Sequence, residues 1–249
     1  MPTTIPTVTS STRPGSPSAG DAYFETDTKN YIIYDGANWR GYISDGSFTS
    51  YATNTKALDF DGSNDYVSVA HSSDLSISGA MSITAWVNPD SLSGFPMFVS
   101  KRASSGHAYQ FYSTGNKLNY NNGTIAQSSG TISTGAWTHI GVTFDGAGGV
   151  TFYINGSSAG TASAATTNPT NTQALDLGRA YNGNYFNGKM DEVAFFNSEL
   201  SAPTISNIYS NKLYPEMVSF WRFEDDVTDS VGSNDGTNNG ATFTTDKPY

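Results

Sequence analysis

The feature that most constrains the fold is an alternation of apolar and polar residues over short segments. Residues 81–87 alternate in this way, and residues 139–145 and 150–154 repeat the pattern. A period of two is typical of β-strands that bury one face. Between the segments lie dipeptides that readily supply the positive φ of tight hairpins: Asp61-Gly62, Asn122-Gly123, Asp145-Gly146, Asn155-Gly156, Asn182-Gly183 and Asn187-Gly188. The pattern predicts an all-β, antiparallel β-sandwich.

One short helix is predicted near residues 201–211. Ser201 can cap its first turn, and Pro203 favours a helix start because its φ is already helical. The apolar residues Ile205, Ile208 and Tyr209 then fall on one side of the helix. We therefore expect this helix to pack on a sheet through that side.

The composition changes near residue 50 and divides the chain. Residues 1–20 are rich in Thr, Ser, Pro and Gly and predict an extended arm. Strand signals follow between residues 21 and 43, and they are too few to bury a core alone. We expect residues 1–48 to form this arm and a small β module for attachment or oligomerisation, with a trimer favoured. Residues 50–249 are expected to form the sandwich.

Charge and residue usage exclude several classes of partner. The chain has 12 basic and 22 acidic residues, for a formal net charge of −10, and it has no cysteine. A nucleic-acid partner is not expected, because binding nucleic acid requires a cationic surface. No segment approaches the roughly 20 apolar residues of a membrane span. Residues 1–12 lack the basic start and apolar core of a signal peptide, so synthesis in a cytoplasm is predicted.

The patterns that could indicate an enzyme do not have the right context. Gly156–Gly160 matches G-x-S-x-G around Ser158, but a hairpin precedes it, where a nucleophile elbow needs a strand-to-helix turn. Glycoside hydrolysis needs two carboxylates on one face, and Asp191 and Glu192 are neighbours on a predicted strand, so they should point to opposite faces. Glu25–Asp27 lies outside the sandwich. The histidines are widely spaced and share no zinc motif: His71, His107 and His139. No enzymatic activity is predicted.

Two regions combine aromatic rings with amide side chains, which is the chemistry of sugar recognition. They are residues 181–185 and 109–122, with two further polar residues nearby. The candidate sugar-binding residues are Arg102, His107, Tyr109, Tyr120, Tyr181, Asn182, Asn184 and Tyr185. Tyr and Asn also populate ordinary strands and turns, so the prediction concerns the group of residues rather than any one of them.

Five segments stand in a characteristic order along the sandwich region. They are Ala57–Val67, Met81–Pro89, Gly135–Asp145 together with Val150–Gly156, Leu175–Arg179, and Tyr185–Phe195. This order resembles the laminin G-like branch of the concanavalin A-like jelly rolls, over roughly residues 55–211. Residues 220–243 resemble a piece that often precedes the first of these segments in that family, so strands within 216–245 are expected to close the same sandwich. Residues 13–39 resemble a small module of phage tail and virion proteins.

The resemblance also implies a structural calcium ion. Members of the family often hold one near the first and last of these segments. Calcium needs six to eight oxygen ligands. The candidate ligands are Asp59, Asp61, Asp65 and Asp191. The alternative is that the aspartates cap turns by accepting bonds from backbone amides.

The leading hypothesis is a non-enzymatic virion protein, either a capsid decoration protein or a tail or fibre component. Its lectin-like sandwich would bind host-surface glycans at the virion surface, with other virion proteins as partners. Fold alone does not give function, so this step is an analogy. One alternative is a bacterial carbohydrate-binding module or adhesin domain in an extracellular setting. The other is a structural cement protein that binds no sugar.

Overall fold

The structure is a computed structural model. It describes residues 7–12, 14–16, 18, 21–25, 30–34, 39–43, 49–51, 53–103, 106–181 and 183–249. The strands are β1 (Thr7–Val8), β2 (Ala22–Glu25), β3 (Asn30–Tyr34), β4 (Trp39–Ile43), β5 (Thr49–Ser50), β6 (Ala57–Asp61), β7 (Tyr66–Val69), β8 (Met81–Pro89), β9 (Met97–Ala103), β10 (Gly106–Thr114), β11 (Lys117–Asn121), β12 (Ile125–Thr131), β13 (Thr138–Phe144), β14 (Gly149–Ile154), β15 (Ser157–Ser163), β16 (Leu175–Leu177), β17 (Asn187–Phe196), β18 (Leu213–Tyr214), β19 (Ser219–Trp221), β20 (Gly236–Asn239) and β21 (Thr242–Thr244). The helices are a 3-10 turn, Ser10–Thr12, and α1 (Ala202–Asn211). Neither of these described helices is long and apolar enough to span a membrane.

Two antiparallel sheets form the sandwich, which confirms the predicted fold class. The seven-stranded sheet has the order β12-β11-β10-β9-β16-β7-β20. The eight-stranded sheet has the order β15-β14-β13-β8-β17-β6-β21, and β19 also pairs with β17. Neighbours that are distant in sequence, such as β9 and β16, give the sheets the crossed connections of a jelly roll.

The core lies between the sheets and follows the predicted alternation. Ile140, Val142 and Phe144 of β13 are buried in it, and Tyr109 and Phe111 of β10 reach it from the other sheet. Burying each such side chain contributes roughly 1.5–3 kcal/mol. The side chains between them point away from the core, toward the outer faces of the two sheets.

The C-terminal strands are part of both sheets. β20 pairs with β7 in the seven-stranded sheet, and β21 pairs with β6 in the eight-stranded sheet. Trp221 of β19 is fully buried in the core, and its Nε1 donates to the carbonyl oxygen of Asn234 at 2.9 Å. The segment after the helix therefore supplies strands and core to the same sandwich.

Helix α1 forms where the sequence predicts it and covers the outer face of the eight-stranded sheet. The Ser201 hydroxyl accepts from the backbone amide of Thr204 at 3.3 Å, and the left-handed Lys212 ends the helix. Ile205 and Ile208 join a second apolar cluster with outward residues of β17. The helix thus closes this face of the sandwich.

The N-terminal strands form a separate four-stranded sheet in the order β1-β2-β3-β4. The strand signals predicted between residues 21 and 43 correspond to β2, β3 and β4. Within the described part of the chain, these strands pair only with one another, whereas β5 pairs with β18 next to the helix. Residues 49–50 therefore pair with the segment that follows the helix rather than with the N-terminal sheet.

Candidate functional site

A groove of about 440 Å³ opens on the outer face of the seven-stranded sheet. It crosses β9, β10 and β11 and is bounded by the loops before β9 and before β17. The described residues that line it are Phe95, Met97, Arg102, Gln110, Tyr112, Asn121, Gly123, Ile125 and Asn184. Its volume lies within the range of pockets that hold small ligands.

The floor of the groove comes from the outward positions of β10 and β11. Tyr109 and Phe111 point into the core, so Gln110 and Tyr112 point outward. Gln110 is held in place, because its Nε2 donates to the Ser100 hydroxyl at 3.1 Å. Gln110 and Tyr112 are 2% and 5% exposed, so they place a fixed amide beside an aromatic ring at the base of the groove, with a small part of each open to a ligand.

Apolar side chains rise at the edges of the groove. Phe95 is 53% exposed, and its ring centroid lies 6.4 Å from that of Tyr112. Ile125 is 58% exposed on the other side. Large apolar side chains so exposed and so close together are typical of binding sites. Burial raises the pKa of the Tyr112 hydroxyl, so the ring is neutral at ordinary pH.

Arg102 is the charged residue of the groove. Its guanidinium carbon lies 5.8 Å from the ring centroid of Tyr181, which is 49% exposed. Its Nε is buried and has no hydrogen-bond partner. The groove thus combines aromatic faces, amides and a cation, with a donor left unsatisfied.

Comparison with known proteins gives the family. The profile described as the concanavalin A-like lectin/glucanases superfamily matches residues 61–206 of the chain. The chain belongs to this superfamily. The superfamily assignment agrees with the resemblance seen in the sequence and with the two-sheet sandwich. A search of the curated proteins finds no match to the chain.

Solved structures of low identity share the superfamily fold. A candidate carbohydrate-binding protein from Bacteroides ovatus ATCC 8483 is 19% identical with a TM-score of 0.66, over 93% of this chain and 71% of its own. A heptameric SAP-like pentraxin from Limulus polyphemus is 13% identical with a TM-score of 0.58, over 78% of this chain and 97% of its own. Domain 4 of the extracellular GH43 arabinanase AbnA from Geobacillus stearothermophilus, solved with arabinotriose, is 20% identical with a TM-score of 0.53, over 68% of this chain and 84% of its own.

The structure brings some of the predicted sugar-binding residues together. Arg102 and Asn184 line the groove, and Tyr181 contacts Arg102 at its edge. Tyr185 is half-buried and forms an isolated β-bridge with Arg179, away from the groove lining. Asn182 and the side chain of His107 lie outside the described residues.

Tyr109 and Tyr120 are core residues and offer no face to a sugar. Both are fully buried between the sheets. The Tyr109 hydroxyl donates to the Leu75 carbonyl oxygen at 2.8 Å, and the Tyr120 hydroxyl donates to Asn168 Oδ1 at 2.6 Å. These bonds satisfy the buried hydroxyls, so the rings serve packing.

The predicted regions 109–122 and 181–185 contain part of the groove lining, but the tyrosines named on β10 and β11 were core residues. Residue type drew attention to Tyr109 and Tyr120, although strand alternation assigns the outward positions of the same strands to Gln110, Tyr112 and Asn121. A polar residue between two core aromatics was the signal that could have found Gln110. The loop residues Phe95 and Gly123 and the neighbouring strand residues Met97 and Ile125 carry no such signal.

The four aspartates predicted to bind calcium divide among three places. Asp61 Oδ1 accepts from the amides of Ser63 and Asn64, and Asp65 Oδ2 accepts from the amide of Asp61, so these two close a turn. Asp59 faces Lys189, and Asp191 lies elsewhere on the sheet. In the described parts of the chain, no group of three or more His, Asp or Glu could hold a metal ion. The four therefore do not form one site, and calcium binding stays a prediction that melting with CaCl2 and EDTA would test.

Asp191 and Glu192 point to the same face, contrary to the prediction. Glu192 has a φ of 47°, and a β-bulge interrupts β17 at this place. Both carboxylates are buried on the outer face of the eight-stranded sheet. Asn54 Nδ2 donates to Asp191 Oδ2 at 2.6 Å, and the Tyr214 hydroxyl donates to Glu192 Oε2 at 2.7 Å. The extra residue of the bulge breaks the alternation on which the prediction rested.

Burial sets the protonation of this pair. It raises the pKa of Asp191 well above its ordinary value, and the neighbouring Glu192 adds to the effect. Burial also raises the pKa of Glu192, against the hydrogen bonds from Tyr249 and Tyr214 and the charge of Arg222. The protein encloses both carboxylates on all sides. They therefore belong to the packing of this face and do not form a site that is open to solvent.

Proposed function

We propose that this chain is a non-enzymatic carbohydrate-binding protein whose ligand occupies the groove of the seven-stranded sheet. The observation that carries the proposal is the pairing of exposed rings, Phe95 and Tyr181, with the amides of Gln110 and Asn184 around one groove. A pyranose ring presents apolar C–H faces and polar hydroxyl edges, which these two kinds of side chain complement. The B. ovatus protein and the arabinanase domain, whose names refer to carbohydrates, share the fold and support the proposal.

A binding role is supported over hydrolysis by the charge of the groove. None of its nine lining residues is acidic. Glycoside hydrolysis uses a carboxylic acid to protonate the leaving group and a second carboxylate as nucleophile or base. The adjacent carboxylates Asp191 and Glu192 lie buried on the other sheet. A ligand in the groove would therefore be held and not cleaved.

Phe95→Ala is expected to weaken glycan binding by about ten-fold, because an apolar face of this size is worth more than 1 kcal/mol when a ligand covers it. Tyr181→Ala is expected to weaken binding too. The measurement is binding to a glycan array, followed by calorimetry with the best glycan. Val231→Ala is the matched control, because Val231 is an exposed apolar residue in the loop between β19 and β20, at the other edge of the sheet.

The outcomes separate the candidate functions. Weaker binding in both groove variants and unchanged binding in Val231→Ala would support a lectin with this site. Equal binding in all variants would move the sugar site elsewhere on the sandwich. An array on which the wild type binds no glycan would contradict the proposal and favour a cement protein.

We also propose that residues 1–48 mount the sandwich on a larger assembly. The four-stranded sheet supports this, since strands so short and so few form no core of their own, and the contact of β4 with α1 ties the sheet to the sandwich. If the assembly is a virion, the partners are other virion proteins and the location is the virion surface. A bacterial carbohydrate-binding module joined to an extracellular protein agrees equally with the sandwich. Purification of the protein with particles or with a cell wall would distinguish them.

A further inference from the structure

The charge of the groove is opposite in sign to that of the chain. The chain has a formal net charge of −10. Of the nine described residues that line the groove, Arg102 is charged and the other eight are neutral. On the same sheet face the carboxylate of Asp176 is already paired, since Arg179 Nη2 lies 2.7 Å from its Oδ2. The groove is therefore a local positive site on an acidic protein.

Arg102 differs from the other arginines whose side chains are described. Arg179 pairs with Asp176, and Arg222 lies 3.7 Å from carboxylate oxygens of both Glu192 and Glu224. Among the described residues, no carboxylate forms an ion pair with Arg102. Its buried Nε lacks a hydrogen-bond acceptor, as does the Nε of Arg222, so the missing carboxylate is what sets Arg102 apart. A buried donor without a partner is unfavourable, and a planar anion can accept two parallel bonds from a guanidinium.

We infer that the groove selects sugars that carry a carboxylate, such as a hexuronic or a sialic acid. The carboxylate would accept from Arg102, the ring would lie on Phe95 and Tyr112, and the amides of Gln110 and Asn184 would bind hydroxyls. The planar fork of arginine suits a carboxylate better than the point charge of lysine. This inference rests on the proposed sugar-binding function and names its ligand class.

The first arm of the test compares matched acidic and neutral ligands by calorimetry on the full chain. The pairs are oligogalacturonate with its methyl ester, and sialyllactose with lactose. We expect at least one acidic member to bind about ten-fold or more tightly than its neutral partner. The preference should decrease as the salt concentration rises, because salt screens a partly exposed charge.

The second arm changes the arginine. Arg102→Gln is expected to bring the acidic ligand down to the affinity of its neutral partner, and Arg102→Lys is expected to keep part of the preference. Lys56→Gln is the matched control, because it removes one positive charge outside the groove, where Lys56 faces Asp225. Circular dichroism of each variant establishes that it is folded.

Each of the remaining outcomes would overturn either this inference or the proposed function. Equal affinity for acidic and neutral members in the wild type would overturn the acidic preference and leave sugar binding standing. Binding of neither member of any pair, nor of any other glycan, would instead overturn the proposed function. Preference for a sulfated sugar over the carboxylated ones would overturn the carboxylate assignment, and so would an acidic preference that persists in Arg102→Gln.

Discussion

His139 is enclosed on the outer face of the eight-stranded sheet, between the rings of Trp86 and Tyr209. Neither of its ring nitrogens has a hydrogen-bond partner. Burial lowers the pKa of His139 from 6.5 to about 3, and the charge of Lys212 acts in the same direction. The folded state therefore holds a neutral ring. The free energy of unfolding therefore keeps its full value above the unfolded pKa of 6.5. It decreases as the pH falls from 6.5 toward 3, because the unfolded chain takes up a proton at His139 and the folded chain does not.

His139→Phe is expected to flatten the pH dependence of stability. Protonation of the unfolded chain at about pH 5 lowers the free energy of unfolding of the wild type by on the order of 2 kcal/mol through this residue, and the variant lacks that loss. Urea unfolding at about pH 7.5 and pH 5 measures the difference. His71→Gln, at an exposed histidine, serves as the control. The same slope in all three proteins would show that His139 titrates normally.

Asp191 has a pH dependence of the opposite sign. Its raised folded pKa means that its contribution to stability is present below the unfolded value of 3.8 and is lost as the pH rises through the folded pKa. Asp191→Asn should therefore stabilise the protein more at about pH 8 than at pH 4. A reoriented Asn54 amide, whose Oδ1 now lacks a partner, can accept from the new side chain.

Asp61→Asn is the opposite-sign control for that experiment. The amides of Ser63 and Asn64 lower the pKa of Asp61, so its contribution is present above 3.8 and lost as the pH falls. This variant should lose stability at about pH 8, where Asp191→Asn gains it. Thermal melting of both variants at about pH 4 and pH 8 tests these two predictions. A loss at pH 8 in both variants would mean that Asp191 is ionised without penalty in the fold.

Strands β10 and β17 show how far an element can be predicted from its sequence. In β10 the alternation of apolar and polar residues holds, so the outward position of Gln110 follows from the core position of Tyr109. In β17 the bulge at Glu192 inserts one residue and turns two neighbouring carboxylates to one face. Glu192 is not a residue type that favours a positive φ, which is ordinarily a property of Gly, Asn or Asp. Tyr214, which is distant in sequence, donates a hydrogen bond to Glu192 in this conformation.

The contribution of the C-terminal segment to stability can be tested at Trp221 in strand β19. Trp221→Phe removes the bond from Nε1 to the Asn234 carbonyl and leaves a void beside Phe195, whose ring centroid is 5.7 Å away. We expect a loss of about 2–4 kcal/mol, since a buried acceptor loses its donor and the core loses volume. Urea unfolding measures it. Trp137→Phe, at a half-buried tryptophan bonded to Asp246, should cost much less. An equal loss in both would mean that β19 adds little to the core.

At the scale of the whole molecule, the sandwich could be predicted because its signals are local. Alternation, hairpin dipeptides and the Ser201 cap each act within a few residues. The groove could not be predicted, because it is assembled from Phe95, Arg102, Tyr112, Ile125 and Asn184, which only the pairing of distant strands brings together. The ligand chemistry of the groove therefore depends on topology, and residue types alone indicated only Arg102, Asn184 and the adjacent Tyr181.

The small size of the N-terminal sheet is the basis for a prediction about the oligomeric state of the full chain. Its strands have two to five residues, too few to bury a core of their own, and we propose that copies of the chain pack together through this sheet. We expect the full chain to be a trimer and residues 49–249 to be a monomer, by light scattering after size exclusion. The truncation begins at Thr49 because β5 pairs with β18 beside the helix, and a later start would disturb the sandwich. If the full chain is a monomer, residues 1–48 would instead dock on a different protein. If the truncated chain is a trimer, the contact between copies lies on the sandwich itself.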